Sequence, residues 1–523
     1  MSMHTHPFSF SLKLGLVTAA WLFTASAAMA QAVTAPDWQT TPPTATGATT
    51  SSGAAVALDA GNNAYVLTSS SGGTSVPTPW LHRYTAAGVL QWSRITPAGQ
   101  LVTDANGNAL VGGSQIQKIG PDGSLVWTQP GPAGASILYN ETMAVDAVGD
   151  LYLLAGNATG GQTVSKRSGA TGALLWTAAL PPEFSYLVGV LRLGTGQLYV
   201  TTGNDVTMTI ARLSTTTGAL LSTRQLAHGG FWSDIAIGPS GEVAAVGGMS
   251  IYLPNGTLNV DLLDSSLGTV LYEKRLPQGV SARRVAIDAN RNVVLTGVAL
   301  ELNPTPYTFP GGMTGTGPFG DWITLKLDAA GTPLWSARQS QITNWDERPW
   351  TLRLGADGAV YVSGSAGNPA ATTHPPEQMT TVKYDGATGA VLLTANAPSS
   401  RFGLDLKTGT DGSAYALGFG PQATLQHFAA LAKPTALALS SASVRGGTRV
   451  TGTVRVSSKA GVVVKLSSSN PGVASVPASV SVPAGATSAN FSVITYKVRT
   501  TTSVSISASA NNGITSSTLT VKR

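Results

Sequence analysis

A short motif recurs eight times along this chain, and it restricts the fold more than any other feature of the sequence. The first half-repeat reads apolar-x-Asp-x-x-Gly-Asn-x-Tyr-Val-x-x-Gly. Its copies begin with AVALDAGNNAYVLT (Ala55–Thr68), LVTDANGNALVGG (Leu101–Gly113), MAVDAVGDLYLLAG (Met143–Gly156) and LRLGTGQLYVTTG (Leu191–Gly203). They continue with IAIGPSGEVAAVGG (Ile235–Gly248), VAIDANRNVVLTG (Val285–Gly297), LRLGADGAVYVSG (Leu352–Gly364) and LKTGTDGSAYALG (Leu406–Gly418). A second half-repeat, apolar-x-(Lys/Arg)-x-x-x-x-Gly-x-Leu-x-Trp, follows most of them. LHRYTAAGVLQW (Leu81–Trp92), IQKIGPDGSLVW (Ile116–Trp127), VSKRSGATGALLW (Val164–Trp176) and LKLDAAGTPLW (Leu325–Trp335) are the clearest, with degenerate copies at 210–221, 260–272 and 382–393.

In each half, apolar and polar residues alternate on both sides of a Gly/Asn/Asp turn, which is the pattern of a hairpin. Two hairpins make four strands, and four strands in roughly 45 residues, repeated along the chain, predict an all-β propeller. Eight copies predict an eight-bladed propeller; seven blades is the alternative if one weak copy is a connector. The Trp that ends the second half-repeat is expected to pack between blades. The eighth copy has only a stub of its second hairpin, LQHFA (Leu425–Ala429), while Asp37-Trp38-Gln39-Thr40 reads as the missing strand. Pairing the two closes the ring and leaves no sheet edge open.

The first thirty residues differ from all that follows. Lys13 is their single Lys or Arg, an apolar run covers Leu14 to Ala27, and Ala28-Met29-Ala30 ends it. A short basic start, a brief apolar core and an A-x-A end predict a secretory signal peptide over residues 1–30, cleaved near Ala30/Gln31. The expected location is periplasmic or extracellular, with no membrane span after cleavage, because no later stretch holds about eighteen uninterrupted apolar residues. The chain has no cysteine, so core burial rather than disulfides must hold it together. Charged residues make up 11% of the sequence and the formal net charge is +6. These charges form no run of five of one sign, which argues against nucleic acid as a partner.

The repeats stop near Ala432, placing the propeller at residues 31–432. In residues 433–523 aromatics almost vanish and Ser, Thr and Val dominate. VVVKLSSSNPGVASVPASVSVPAG (Val462–Gly485) alternates Val with Asn-Pro-Gly and Pro-Ala-Gly turns, and FSVIT, VSISAS and LTVKR supply further strands. About seven short strands predict an immunoglobulin-like β-sandwich.

These patterns carry three resemblances. The first half-repeats resemble bacterial secreted β-propeller repeats, with residues 319–364 the best match. The second half-repeats resemble the quinoprotein repeat through Ala-Thr-Gly-x-x-Leu-Trp at Ala170–Trp176 and Ala-Thr-Gly at Ala387–Gly389. Residues 466–471 and 482–488 resemble bacterial immunoglobulin-like domains, which space or attach secreted proteins. The quinoprotein resemblance implies a redox cofactor held near an adjacent Cys-Cys pair and a metal-binding acidic set. The chain has no cysteine and the acidic set has no counterpart in its sequence, so no cofactor is expected.

Candidate chemistry is sparse. His82, His228, His374 and His427 are too far apart in sequence for a paired metal motif. Asp104-Ala-Asn106-Gly-Asn108 begins like a calcium loop but lacks its closing Glu and doubles as a repeat turn. No G-x-S-x-G elbow stands on a strand–helix junction. The most polar and aromatic-rich segment is ITNWDERPW (Ile342–Trp350), where Trp345 and Trp350 flank Asp346, Glu347 and Arg348 as a sugar- or peptide-binding loop does. Phe231 and Trp232, just before the fifth copy, and the Pro/Gly-rich insertion at 297–320 complete the candidate binding surface. The expected function is a monomeric, non-enzymatic binding protein whose propeller face takes a protein or glycan. The alternatives are a propeller enzyme, either a quinoprotein-like oxidoreductase or a lyase or hydrolase with carboxylates in the central funnel, and a structural part of a cell-envelope assembly. Ionisable side chains converging in that funnel are the feature to look for.

Overall fold

The computed structural model describes residues 35–44, 48–72, 77–132, 141–156, 161–184, 189–203, 207–227, 234–248, 258–276, 280–300, 307–308, 314–315, 320–340, 347–367, 377–458, 461–483, 485–511 and 513–523. Residues 1–30, read above as a signal peptide, and the candidate residues Phe231, Trp232, Trp345 and Asp346 lie outside them. No helix among the described residues is long and apolar enough to cross a membrane.

The turns explain why the repeats fold as they do. In the first half-repeat the Asp carboxylate caps its own bend. Asp59 accepts the backbone N–H of Gly61 and Asn63, both at 2.9 Å. Asp104 does the same for Asn106 and Asn108, and Asp288 for Asn290 and Asn292. These are Asx turns, in which a short acidic side chain replaces a backbone acceptor and sets the strand register on either side. The same Asp then reaches the cation of the second half-repeat. Lys118 lies 2.8 Å from Asp104, Lys326 lies 2.8 Å from Asp288, and Arg83 lies 3.2 Å from Asp59. The two halves of each such repeat are thereby tied into one sheet.

Among the described residues, eight antiparallel four-stranded sheets follow one another along the chain. They occupy residues 50–95, 100–130, 143–179, 191–226, 234–275, 280–339, 348–397 and 402–428, numbered here one to eight. The eighth is completed from the other end of the chain, with Trp38 opposite His427, Gln39 opposite Gln426 and Thr40 opposite Leu425, as the orphan-strand reading expects. The first strand of each sheet touches the first strand of the next, and that of sheet eight touches that of sheet one. These first strands therefore line the centre of a closed ring. Second strands are buried on both faces, as in Leu151–Gly156, whereas fourth strands such as Leu174–Ala179 are half exposed. The insertion in sheet six carries a short hairpin, Tyr307–Thr308 with Thr314–Gly315.

Neighbouring sheets are locked at the periphery by one recurring contact. The aromatic ring on a fourth strand lies on a glycine in the outer turn of the following sheet. The pairs are Trp38 on Gly88, Trp92 on Gly123, Trp127 on Gly172, Trp176 on Gly218, Tyr272 on Gly331 and Trp335 on Gly389. Most of these indoles also donate to a carbonyl of that turn, for example Trp92 to Pro121 at 2.9 Å and Trp335 to Gly386 at 3.2 Å. The inter-blade packing expected for this Trp is thus what the structure shows. Between sheets four and five the position is Ser222, which donates instead to the Ser266 carbonyl at 2.9 Å.

The chain changes sheet between Phe428 and Pro434. Beyond it, a four-stranded sheet (Pro434–Leu439, Arg449–Val456, Ser488–Thr495, Ala474–Ser475) faces a five-stranded one (Ser443–Arg445, Gly513–Lys522, Thr502–Ala510, Val462–Ser468, Ser479–Val482). Val454, Phe491 and Val493 from the first share one apolar core with Val464, Val504, Ile506 and Leu519 from the second. The Asn511 amide donates to the Ala432 carbonyl at 2.9 Å across the join.

Two stability predictions follow from this packing. Replacing Trp335 with Ala removes a nearly buried ring and is expected to cost about 3–5 kcal/mol. Gly389→Ala is expected to cost more than the roughly 1–2 kcal/mol of a left-handed L-residue, because its φ is +74° and a Cβ would stand 2.6 Å from the Trp335 ring. Thermal unfolding of both variants checks this. Acid sensitivity should arise from His82, which is fully buried between Thr68 (3.0 Å) and Ser93 (2.8 Å), and whose pKa burial holds down at about 4. An unfolded His titrates near 6.5, so between pH 6.5 and 4 the unfolded chain binds the extra proton. Stability present above that window is lost as pH falls through it, by up to about 3 kcal/mol. His82→Gln, followed by unfolding at pH 7 and pH 4.5, should show a smaller acid loss than the parent.

Candidate functional site in the ring centre

The innermost strands bring together charges that lie far apart in sequence. Counted back from the turn, three strands place a cation at the same repeat position: Arg192 in Leu191-Arg192-Leu193, Arg353 in Leu352-Arg353-Leu354 and Lys407 in Leu406-Lys407-Thr408. The other five copies carry Ala57, Val102, Ala144, Ala236 and Ala286 there. Two residues earlier, on the same face of the strand, stand Asp234, Arg284 and Asp405. The preceding leucine of each cationic copy is buried in its sheet, so alternation turns the charged residue away from the blade core.

The charges meet through Glu141, in the segment leading into sheet three. Arg192 lies 2.7 Å from its Oε2, and Arg353 and Lys407 both bind its Oε1, Lys407 at 3.4 Å. Arg353 is 212 positions away in sequence, and sheets three and seven stand on opposite sides of the cycle of inner strands. Arg192 also bonds Asp234 at 2.8 Å, and Lys407 bonds Asp405 at 2.8 Å. Arg284 donates to the carbonyl of Arg283 at 2.9 Å. Among the described residues the cluster thus comprises four cations and three acids.

Two of the acids also brace the ring. Asp234 accepts the N–H of its own neighbour Ile235 at 3.0 Å and of Val285 in the next sheet at 3.3 Å. Asp405 accepts Leu406 N–H at 2.8 Å and Val56 N–H of sheet one at 3.0 Å. Gln100 plays the same part toward Thr142 N–H, at 3.0 Å. Water still reaches the cations, with side-chain exposures of 19% for Arg192, 24% for Arg353 and 27% for Lys407. Burial nevertheless pulls the Lys407 ammonium below the usual lysine range, and Asp405 opposes that shift only in part. Burial likewise lowers Arg284 and Arg353. The arrangement can hold an anion; it can also supply an amine that gives up its proton more readily than an ordinary lysine.

The residues singled out in Ile342–Trp350 have other partners. Glu347 is fully buried; its backbone N–H donates to Gly320 at 2.9 Å and its Oε1 accepts Gly367 N–H at 3.4 Å. Arg348 begins the inner strand of sheet seven, opposite Ser365. Trp350 stacks on Phe402 with ring centres 5.2 Å apart, and the Arg283 guanidinium sits over its ring at 5.0 Å. The described part of this segment is therefore an inner-strand start packed between sheets six and eight. Asp104, the start of the calcium-like loop, spends its carboxylate on the turn and on Lys118. No group of three His, Cys, Asp or Glu among the described residues is placed to hold a metal ion.

Arg192, Arg353, Lys407 and Glu141 escaped the sequence reading. The available signal was the departure of three repeat copies from Ala or Val at a single position. A titration tests the electrostatics. With lysines reductively methylated using 13C-formaldehyde, the Lys407 resonance should titrate below the bulk of the lysines, and Asp405→Asn should lower it further.

No protein-family model matches the sequence, and no curated protein matches it. Solved structures with a similar chain path include the Dos1 propeller, at 12% identity and TM-score 0.47 over 75% of this chain and 94% of that one. The WD40 domain of Toxoplasma gondii coronin aligns at 9% identity and TM-score 0.38 over 76% and 88% of the two chains. Kluyveromyces lactis Hsv2 aligns at 8% identity and TM-score 0.39 over 66% and 98%. By its own topology, the chain is an all-β protein with a propeller-like fold.

Proposed function

We propose that this is a secreted, monomeric, non-enzymatic binding protein. It is an eight-bladed propeller that seats part of a protein or glycan ligand at its centre, followed by an immunoglobulin-like sandwich that spaces or attaches it. The closed cycle of first strands supports eight blades, and the two sheets sharing one core support the sandwich. The apolar run ending in Ala28-Met29-Ala30 supports secretion.

One observation carries the binding reading: Arg192, Arg353 and Lys407 converge on Glu141 at the ring centre. Enclosed charges cost desolvation free energy, and apolar residues of similar size are often as stabilising or more so. The repeat itself uses Ala or Val at this position in five copies, so the fold does not require a cation there. A second reading, a lyase or hydrolase, is favoured by the Asp405–Lys407 pair and the lowered lysine, since perturbed groups gather at reactive centres.

Glycan and peptide arrays probed with the purified protein test this. Bound features should weaken at least tenfold with Arg353→Gln, provided its circular dichroism matches the parent. Retained binding would move the site away from the centre. Loss in Trp345→Ala/Trp350→Ala alone would place it on the 342–350 segment. Cleaved fragments of a bound feature, detected by mass spectrometry, would favour the enzyme instead.

A further inference from the structure

The three acids of the central cluster are not equivalent. Asp234 and Asp405 each hold two backbone N–H groups, one of them in the adjoining sheet. Removing either carboxylate would leave those donors without their acceptor. Among the described residues the Glu141 carboxylate is bonded to cations alone: Arg192 on one oxygen, Arg353 and Lys407 on the other. Its backbone is anchored independently, through the carbonyl that accepts Leu191 N–H at 2.8 Å. It is also the most exposed of the three side chains, at 37% against 2% for Asp234 and 15% for Asp405. A change of Glu141 rotamer therefore opens the face it holds on the three cations without disturbing a strand, while Arg192 stays on Asp234 and Lys407 on Asp405.

What surrounds Glu141 is a cradle for two carboxylate oxygens, with a guanidinium on one and a guanidinium and an ammonium on the other. That suits a planar carboxylate better than a tetrahedral anion. Exchanging one carboxylate for another gains little unless the newcomer brings a second charge. Arg284 can supply that second contact, since it interacts electrostatically with Asp234, Arg192 and Asp405 of the same centre and its guanidinium donates to the Arg283 carbonyl.

Resting on the binding reading above, we propose that the ring centre is a carboxylate-binding site built by Arg192, Arg353 and Lys407, that Glu141 fills it from within, and that a small di- or tricarboxylate enters by displacing Glu141 and reaching Arg284. Glu141 is then an internal competitor, and it sets the affinity by how firmly it holds its place.

Isothermal titration of succinate, tricarballylate and acetate into the purified parent and Glu141→Gln decides the matter, with phosphate at equal ionic strength as comparator. Glu141→Gln keeps the side-chain shape and removes the competing charge. It should bind the di- and tricarboxylates at least tenfold more tightly than the parent. Arg284→Gln should reduce succinate to the level of acetate. Equal affinity in parent and Glu141→Gln would overturn displacement, and no binding to either would overturn the site. Phosphate binding as tightly as tricarballylate would overturn the assignment to carboxylates. Thermal unfolding in the same buffers separates a misfolded variant from a folded one that fails to bind. An array ligand lost in Arg353→Gln without any carboxylate binding would sink this proposal and leave the binding reading standing. Carboxylate binding with silent arrays would do the reverse.

Discussion

Six of the eight junctions in the ring rest on one packing arrangement, an aromatic ring of one sheet lying against a turn glycine of the next. A side chain at that glycine would meet the ring: at Gly172, Gly218 and Gly389 a Cβ would stand under 3 Å from the aromatic atoms or their neighbours. The glycine also sits in the left-handed region that the tight outer turn demands, so turn and contact call for the same residue. The indole N–H adds a directional bond to the same turn, which fixes the angle between sheets as well as their separation. At the junction of sheets eight and one, the contact is made by Trp38 on Gly88. The N-terminal strand therefore contributes both the last strand of the ring and its last lock, and the ring cannot close until the two ends of a chain segment nearly 400 residues long have met.

Holding the sheets together at the rim changes what the centre must do. Four of the eight inner strands are short, with four residues in Leu191–Gly194 and three in Met143–Val145. What joins them is polar: Asp234, Asp405 and Gln100 each reach the backbone N–H of the next inner strand. A carboxylate serving two N–H groups is well satisfied, and it draws cations in turn. Arg192 and Lys407 follow from Asp234 and Asp405 in this way. Glu141, Arg353 and Arg284 do not; they add charge beyond what bracing the strands calls for.

The sequence made the sheets legible because each relies on interactions within a few residues. An Asp capping its own turn, a glycine three residues on and a Trp at the end of a hairpin all leave their mark in one short window, and the repeat prints that mark many times. Trp38 was readable for the same reason, as a strand lacking its hairpin. The central cluster left no such mark. Arg192, Arg353 and Lys407 each look like the ordinary polar residue of an alternating strand, and their common partner Glu141 lies outside every copy of the motif. Trp350 and Glu347 stand in the most aromatic-rich stretch of the propeller sequence, and the described part of it packs between sheets.

Repeats offer their own control for separating fold from function. A residue shared by most copies answers a demand every sheet makes, and the Asx turn and the outer aromatic are of that kind. A residue that departs from the other copies answers a demand made once. By that measure the inner position is divided: sheets one, two, three, five and six keep Ala or Val, and four, seven and eight carry Arg, Arg and Lys. The three cationic copies also have Gly194, Gly355 and Gly409 where most of the others have the turn Asp. Asp357 and Asp411, the turn acids of sheets seven and eight, cap Ala359 N–H and Ser413 N–H instead, and Arg353 and Lys407 reach across the ring to Glu141. Sheet four stands opposite sheet eight in the cycle of inner strands, so the three cations converge on the centre from both sides and a ligand bound there would be gripped between them.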